Sequence, residues 1–146
     1  MENLPTGQFF IVNGLVSNEE GKILLVRRER AWHKESHNLW ELPGGKVDFR
    51  EDPEVSVVRE TKEESGFDVE VIKLIPKVLS FGWDHNDRLS HQLLLCYECK
   101  LIGGNACLDD HGVNKIEWFA PKEIMGLDCL PGTKEFLQLY LEKNGN

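Results

Sequence analysis

The segment Gly44 to Phe67 restricts the fold of this chain more than any other. Asp52 can cap a helix with its side chain, Pro53 suits the first helical position, and Glu54 suits the positive end of the helix dipole. Gly66 supplies a residue that can turn left-handed and stop the helix. The pattern predicts a helix over Pro53–Ser65. Glu60, Glu63 and Glu64 are then spaced i, i+3 and i+4, so their carboxylates share one arc of its surface. Val55, Val58 and Thr61 are expected on the other side, against a sheet, with Arg59 and Lys62 flanking the acidic arc. Just before the helix, Pro43-Gly44-Gly45 forms a sharp loop whose glycines let backbone approach closely.

Strands surround this unit. Gln8–Val16 and Lys22–Arg28 read as two strands joined by the turn Asn18-Glu19-Glu20-Gly21, hence a hairpin. Glu29–Asn38 is a polar loop in which Trp32 is a candidate lid or ligand platform. Phe67–Leu79 alternates as one or two strands, Leu89–Ile102 is a long strand, and Gly82–Asp87 is expected to be the turn between them. Lys115–Ala120 is a short strand and Pro121–Met125 a helical turn. Phe136, Leu137, Tyr140 and Leu141 mark an amphipathic helix over Thr133–Lys143. Helices interleaved with strands in hairpin order predict an α/β fold with a mixed sheet between helices.

Composition narrows the function. At 146 residues, 40% hydrophobic and 29% charged, the chain fits one globular domain over residues 1–146. The apolar runs Phe9–Val12 and Leu93–Cys96 are far too short to cross a membrane. Met1-Glu2-Asn3-Leu4-Pro5 has no basic and apolar pattern of a secretory signal, so a cytoplasmic location is expected. With 17 basic against 25 acidic residues, the net charge of -8 disfavours long nucleic acid as a partner. A small phosphorylated ligand remains open if a cation carries the positive charge. Cys96 and Cys99 form a C-x-x-C without a second pair, in a strand whose alternation points them to opposite faces, and are expected to be idle thiols.

Like charges at i, i+3 and i+4 oppose helix formation by a few tenths of a kcal/mol, roughly, per pair. A hard divalent cation such as Mg²⁺, which prefers oxygen ligands, would offset that repulsion. An isolated E-x-x-E-E would be read as a solvated face, but here Gly45, Glu51 and Gly66 frame it.

The whole segment resembles the Nudix box, G-x5-E-x7-R-E-U-x-E-E-x-G-U, where U is a bulky apolar residue. Gly45, Glu51, Arg59, Glu60, Glu63, Glu64, Gly66 and Phe67 match it, and Thr61 departs at the first U. Leu42-Pro43-Gly44-Gly45 and Glu117-Trp118-Phe119 are also similar to MutT-like members.

The resemblance implies a Nudix-type α/β/α sandwich around a mixed β-sheet. It implies metal-dependent hydrolysis of a nucleoside diphosphate linked to another group. The substrate would be of nucleoside triphosphate, nucleotide sugar or ADP-ribose type. Glu60, Glu63 and Glu64 would bind Mg²⁺ or Mn²⁺, with the Gly45 carbonyl adding a ligand, and Glu63 or Glu64 would take the proton of the attacking water. Asp110 is a candidate extra ligand or base. Arg59 would orient carboxylates, and Glu51 would assist through water or neighbouring groups. Arg28 could meet a phosphate, since alternation turns only one of Arg27 and Arg28 inward. Trp32, Trp40, Phe81 and Trp83 are candidate base-stacking surfaces, and His85 and His91 candidates to steady a phosphate or water. Leu130–Thr133 lacks the asparagine that an oxidised-guanine reader places there, which counts against strict oxidised-guanine specificity. A homodimer is common in such a family. Two alternatives are a nucleotide-sensing module that binds without cleaving and an RNA 5′-end pyrophosphohydrolase. The intact glutamates disfavour the first and the net charge the second.

Overall fold

Strand β1 (Thr6–Ser17) is the axis on which the layers are built. The computed structural model describes residues 6–30, 34–109 and 111–144. Side chains alternate along β1, so Val12 and Val16 point to one face of the sheet and Leu15 to the other. Its neighbour on one side is the long strand β7 (Leu89–Gly104), paired parallel from Thr6↔Leu89 to Ser17↔Lys100. On the other side it meets β2 (Ile23–Arg28) at Ser17↔Ile23, closing the expected hairpin. The loop strand β4 (Gly44–Lys46) pairs antiparallel with Ile11, Val12 and Asn13.

The remaining strands extend this frame. β3 (Trp40–Glu41) and β8 (Val113–Phe119) pair antiparallel with β2. β5 (Phe67–Leu74) and β6 (Leu79–Asp84) pair antiparallel with β7. One parallel pair among antiparallel ones makes the sheet mixed, as the element pattern requires.

Each face is covered by helix. α1 (Pro53–Ser65) lies on the face of Val12, Val16, Leu24 and Val69, with Val57 fully buried against them. α2 (Pro121–Ile124) and α3 (Thr133–Lys143) bring Ile124, Phe136 and Leu137 to the opposite face, against Leu15, Ile23, Leu25 and Cys96. Both longer helices have the expected bounds. The Asp52 side chain accepts a hydrogen bond from the Glu54 backbone N–H, and Gly66 turns left-handed at φ 85°. Among the described residues, no helix is long and apolar enough to cross a membrane.

Three sequence expectations are corrected. Val55 is 59% exposed, and the buried face of α1 is made by Ser56, Val57, Thr61, Glu64 and Ser65. The inner stripe is Val57, Thr61 and Glu64, spaced i, i+4 and i+7, which leaves Val55 about 200° around the helix from Val57. Gly14, without a side chain, lets Val57 and Thr61 settle close. Gly82, Trp83 and Asp84 belong to β6 rather than to a turn, since β6 pairs with β7 from Leu79↔Leu94 to Asp84↔Leu89. Trp40 is a core residue, 9% exposed and edge-on to Phe119 at 5.0 Å, so it is no stacking surface for a ligand. Cys96 and Cys99 do fall in the two different face clusters. Burial pushes the Cys99 thiol up to about 12, which leaves little reactive thiolate.

Gly66→Ala should lower stability by about 2 kcal/mol or more. The left-handed conformation costs ~1–2 kcal/mol for a residue with a side chain, and the new Cβ would also meet the Asn105 carbonyl oxygen. Asp52→Ala should cost about 1 kcal/mol through loss of the cap. Urea unfolding of the two variants measures both effects.

Candidate functional site

β4 carries the Gly-Gly pair to the side of α1 that bears the box glutamates. A Cβ at Gly45 would stand 2.5 Å from the Glu60 carboxyl carbon, so only glycine allows this carboxylate to lie against the strand. One residue earlier, the Gly44 N–H donates to Glu64 Oε1 at 2.9 Å. A cleft of about 390 Å³ opens beside these groups, lined by Glu60, Glu64, Arg28 and Glu41, with Phe81 and Trp83 on its apolar side.

The acidic groups are divided between two arginines. Arg28, 6% exposed, donates from Nε and Nη2 to both oxygens of Glu41 at 2.8 and 3.1 Å, and from Nη2 to Glu64 Oε2 at 2.6 Å. Arg59 grips Glu51 through Nε and Nη2 at 2.8 and 2.9 Å. Its Nη1 reaches Glu60 Oε1 at 3.0 Å and both oxygens of Glu63 at 3.2 Å. Thus two carboxylates of α1 converge on a single guanidinium nitrogen, while the third turns inward to Arg28.

These partners set the protonation behaviour. The hydrogen bonds from Arg59, with a further one from the Asp48 N–H, hold the Glu51 carboxyl down at about 2. Desolvation pushes Glu60 above its ordinary value, against the opposing pull of Arg59. Burial likewise raises Glu64, with Arg28 resisting. Both arginines are held firmly protonated.

The donors of the arrangement bear on which cation it could hold. Glu60, Glu63, Glu64 and the Gly45 carbonyl offer only oxygen, the preference of a hard cation. Glu60 and Glu63 already close around positive charge. Among the described residues, no three carboxylate, imidazole or thiol side chains converge on one point. The donors suit a hard cation by their chemistry alone, while the positions of the carboxylates are set by Arg28 and Arg59.

The other sequence candidates separate clearly. Phe81 and Trp83 line the cleft. Arg27 turns away, bonding Asn114 at 2.8 Å and lying 5.8 Å from the Trp40 ring centre. His91 is tied between Gln8 and Ser80 on the surface. Asp109 is exposed beside His111. Trp32 and Asp110 lie outside the described residues. Sequence reasoning missed Glu41, Arg30, Lys46 and Gln92. The Glu41 pairing was the traceable one, since Trp40-Glu41 directly precedes the glycine loop and can lie across from the arginines ending β2.

The fold is therefore an α/β one, a mixed sheet between helices with a glycine strand set against a glutamate helix. The NUDIX domain family matches residues 9–140, and the chain belongs to the Nudix family. It is 31% identical over 113 residues to a MutT-like protein of Streptomyces ambofaciens, covering 77% of this chain and 64% of that one. It is 31% identical over 131 residues to a putative 8-oxo-dGTP diphosphatase of Bacillus subtilis, covering 90% and 77%. A solved MutT NUDIX hydrolase from Burkholderia pseudomallei superposes with TM-score 0.72 at 26% identity, over 90% of this chain and 97% of that one. Other curated relatives are longer, the chain spanning 38% and 31% of two of them.

The Glu51–Arg59 clamp makes an acid-sensitive contribution to stability. Because Glu51 titrates at about 2 when folded rather than at 4.5, this contribution is present above pH 4.5 and is lost as pH falls towards 2. Glu51→Gln should flatten the acid limb of stability relative to the parent protein. Urea midpoints measured between pH 3 and 7 report it.

Proposed function

We propose that this chain hydrolyses the diphosphate bond of a nucleoside diphosphate linked to another group, using Mg²⁺ or Mn²⁺. The carrying observation is the Glu60 carboxylate seated against Gly45 at the cleft, with Glu63 on the same Arg59 nitrogen. A diphosphate is negatively charged and repels a nucleophile, so a site for it must combine oxygen ligands for a cation with donors for phosphate. Gly45, Glu60, Glu63 and Glu64 are the residues that would hold the cation. When bound, it supplies the charge neutralisation that in-line attack requires.

The protein's own groups divide the remaining work. Glu64 accepts from Gly44 and Arg28 on its two oxygens, which suits a fixed, oriented role. Glu63 is the more accessible and, among the described residues, is held by Arg59 Nη1 alone, which suits it to accept the proton of the attacking water. Arg59 positions both Glu60 and Glu63. Phe81 and Trp83 offer apolar surface to the nucleoside.

Nucleoside triphosphates, nucleotide sugars and ADP-ribose are the substrate types in view. The Bacillus relative is named for 8-oxo-dGTP. Leu130, Pro131 and Thr133 bring no side-chain amide to their part of the cleft wall, where an oxidised-guanine reader would place one; the wall's amides are those of Asn13 and Gln92 on the sheet. The absence at Leu130–Thr133 supports a substrate outside strict oxidised-guanine recognition.

A panel of nucleoside triphosphates, nucleotide sugars, ADP-ribose and dinucleoside polyphosphates, with and without Mg²⁺ and with products identified, tests the proposal. Glu63→Gln and Glu64→Gln should each lower turnover at least about a hundredfold, with the circular dichroism spectrum retained. Glu54→Gln, on the same helix and outside the box, should leave turnover within about twofold. Tight binding without cleavage in either metal would replace this reading with nucleotide sensing.

A further inference from the structure

A second recess of about 480 Å³ adjoins the glutamate cleft, and the two share Arg30, Lys46, Trp83 and Gln92 on their walls. Their charges differ. The cleft sets Glu41, Glu60 and Glu64 against Arg28 and the shared Arg30 and Lys46, so its wall is of mixed sign. The second recess is lined by Arg30, Lys46 and Arg88, with no acidic side chain on its wall. In a chain with net charge -8 this local reversal needs a reason.

The cations are also poorly matched within the fold. Among the described residues, Arg30, Lys46 and Arg88 form no ion pair, although Arg28 and Arg59 close by are fully engaged. The Lys46 ammonium instead lies 3.8 Å over the Phe9 ring. Arg30 is half-buried next to Arg28, and burial and that like charge lower its hold on the proton against the weaker opposing pull of Glu41 and Glu64. Arg88 stands in the turn after β6, closed by the His85 N–H donating to the Arg88 carbonyl at 2.8 Å. Three elements distant in sequence thus bring cations to one wall. A guanidinium in this state is satisfied best by a phosphoryl group, whose oxygens match its planar fork.

We propose that the Arg30–Lys46–Arg88 recess binds a further phosphoryl group of the substrate, beyond the diphosphate that is cleaved. The preferred substrates are then nucleotides with an extended polyphosphate chain or a phosphorylated leaving group. Lys46 directly follows Gly45, so the recess begins one residue from the proposed cation ligand. This refinement rests on the hydrolase reading of the adjoining cleft.

Two measurements test it separately from that reading. Calorimetric titration with inorganic tripolyphosphate, without divalent cation, should show binding that weakens at least about tenfold in Arg30→Gln and in Arg88→Gln. Steady-state kinetics with nucleoside di-, tri- and tetraphosphates should show Arg88→Gln raising KM for the tetraphosphate about tenfold or more, with kcat retained and the diphosphate changed by less than about twofold. No tripolyphosphate binding in the parent protein, or binding unchanged in both variants, overturns the proposal. An equal loss on all three nucleotides also overturns it. If no nucleotide is cleaved but the titrations behave as expected, the hydrolase reading falls and the anion site stands.

Discussion

The structure turns on one buried guanidinium. Arg28, near the end of β2, bonds Glu41 on β3 and Glu64 on α1, while the Gly44 N–H bonds the same Glu64 from β4. Four elements therefore meet at one charge. Burying such a set is costly, and its net effect on stability is small, but removing one member strands the others in low dielectric at a cost of ~3–5 kcal/mol. What the cluster provides is registration. It ties the glutamate face of α1 to the glycine strand, so the cleft between them has one geometry.

Arg59 does the complementary task at the rim. It gathers Glu51, Glu60 and Glu63, three acids that would otherwise repel one another on and beside a single helix. The two arginines together explain why the acidic ridge is stable as folded. They also create opposite settings for chemically identical groups: Glu51 is held low by strong donors, whereas Glu60 and Glu64 are pushed up by desolvation. A carboxylate that loses water without full compensation is the one that gains most from a bound cation.

The cleft, where Glu41, Glu60 and Glu64 face Arg28, Arg30 and Lys46, gives way to a recess lined by Arg30, Lys46 and Arg88 without an acid. This polarity suits a polyanion held at one end through a cation and at the other by side chains. Net charge conceals such a gradient, because a sum over 146 residues says nothing about their positions.

Much of this was legible in the chain itself. The bounds of α1 and α3, the first hairpin and the spacing of the box residues depend on caps, turns and periodicity, all local properties. Tertiary packing decided the rest. Val55 shares helical spacing with Val58, yet lies exposed because the stripe that meets the sheet is centred on Val57, on the other side of the helix. Trp83 became part of a strand because β6 continues into the expected turn, pairing with the first residues of β7 as far as Asp84↔Leu89. Glu41 and Arg30 gained their meaning from neighbours far along the chain. Short-range spacing can state which acids belong on one helix. Which arginine each acid meets, and which cation is left for a ligand, depends on long-range contacts that exist only once the sheet has formed.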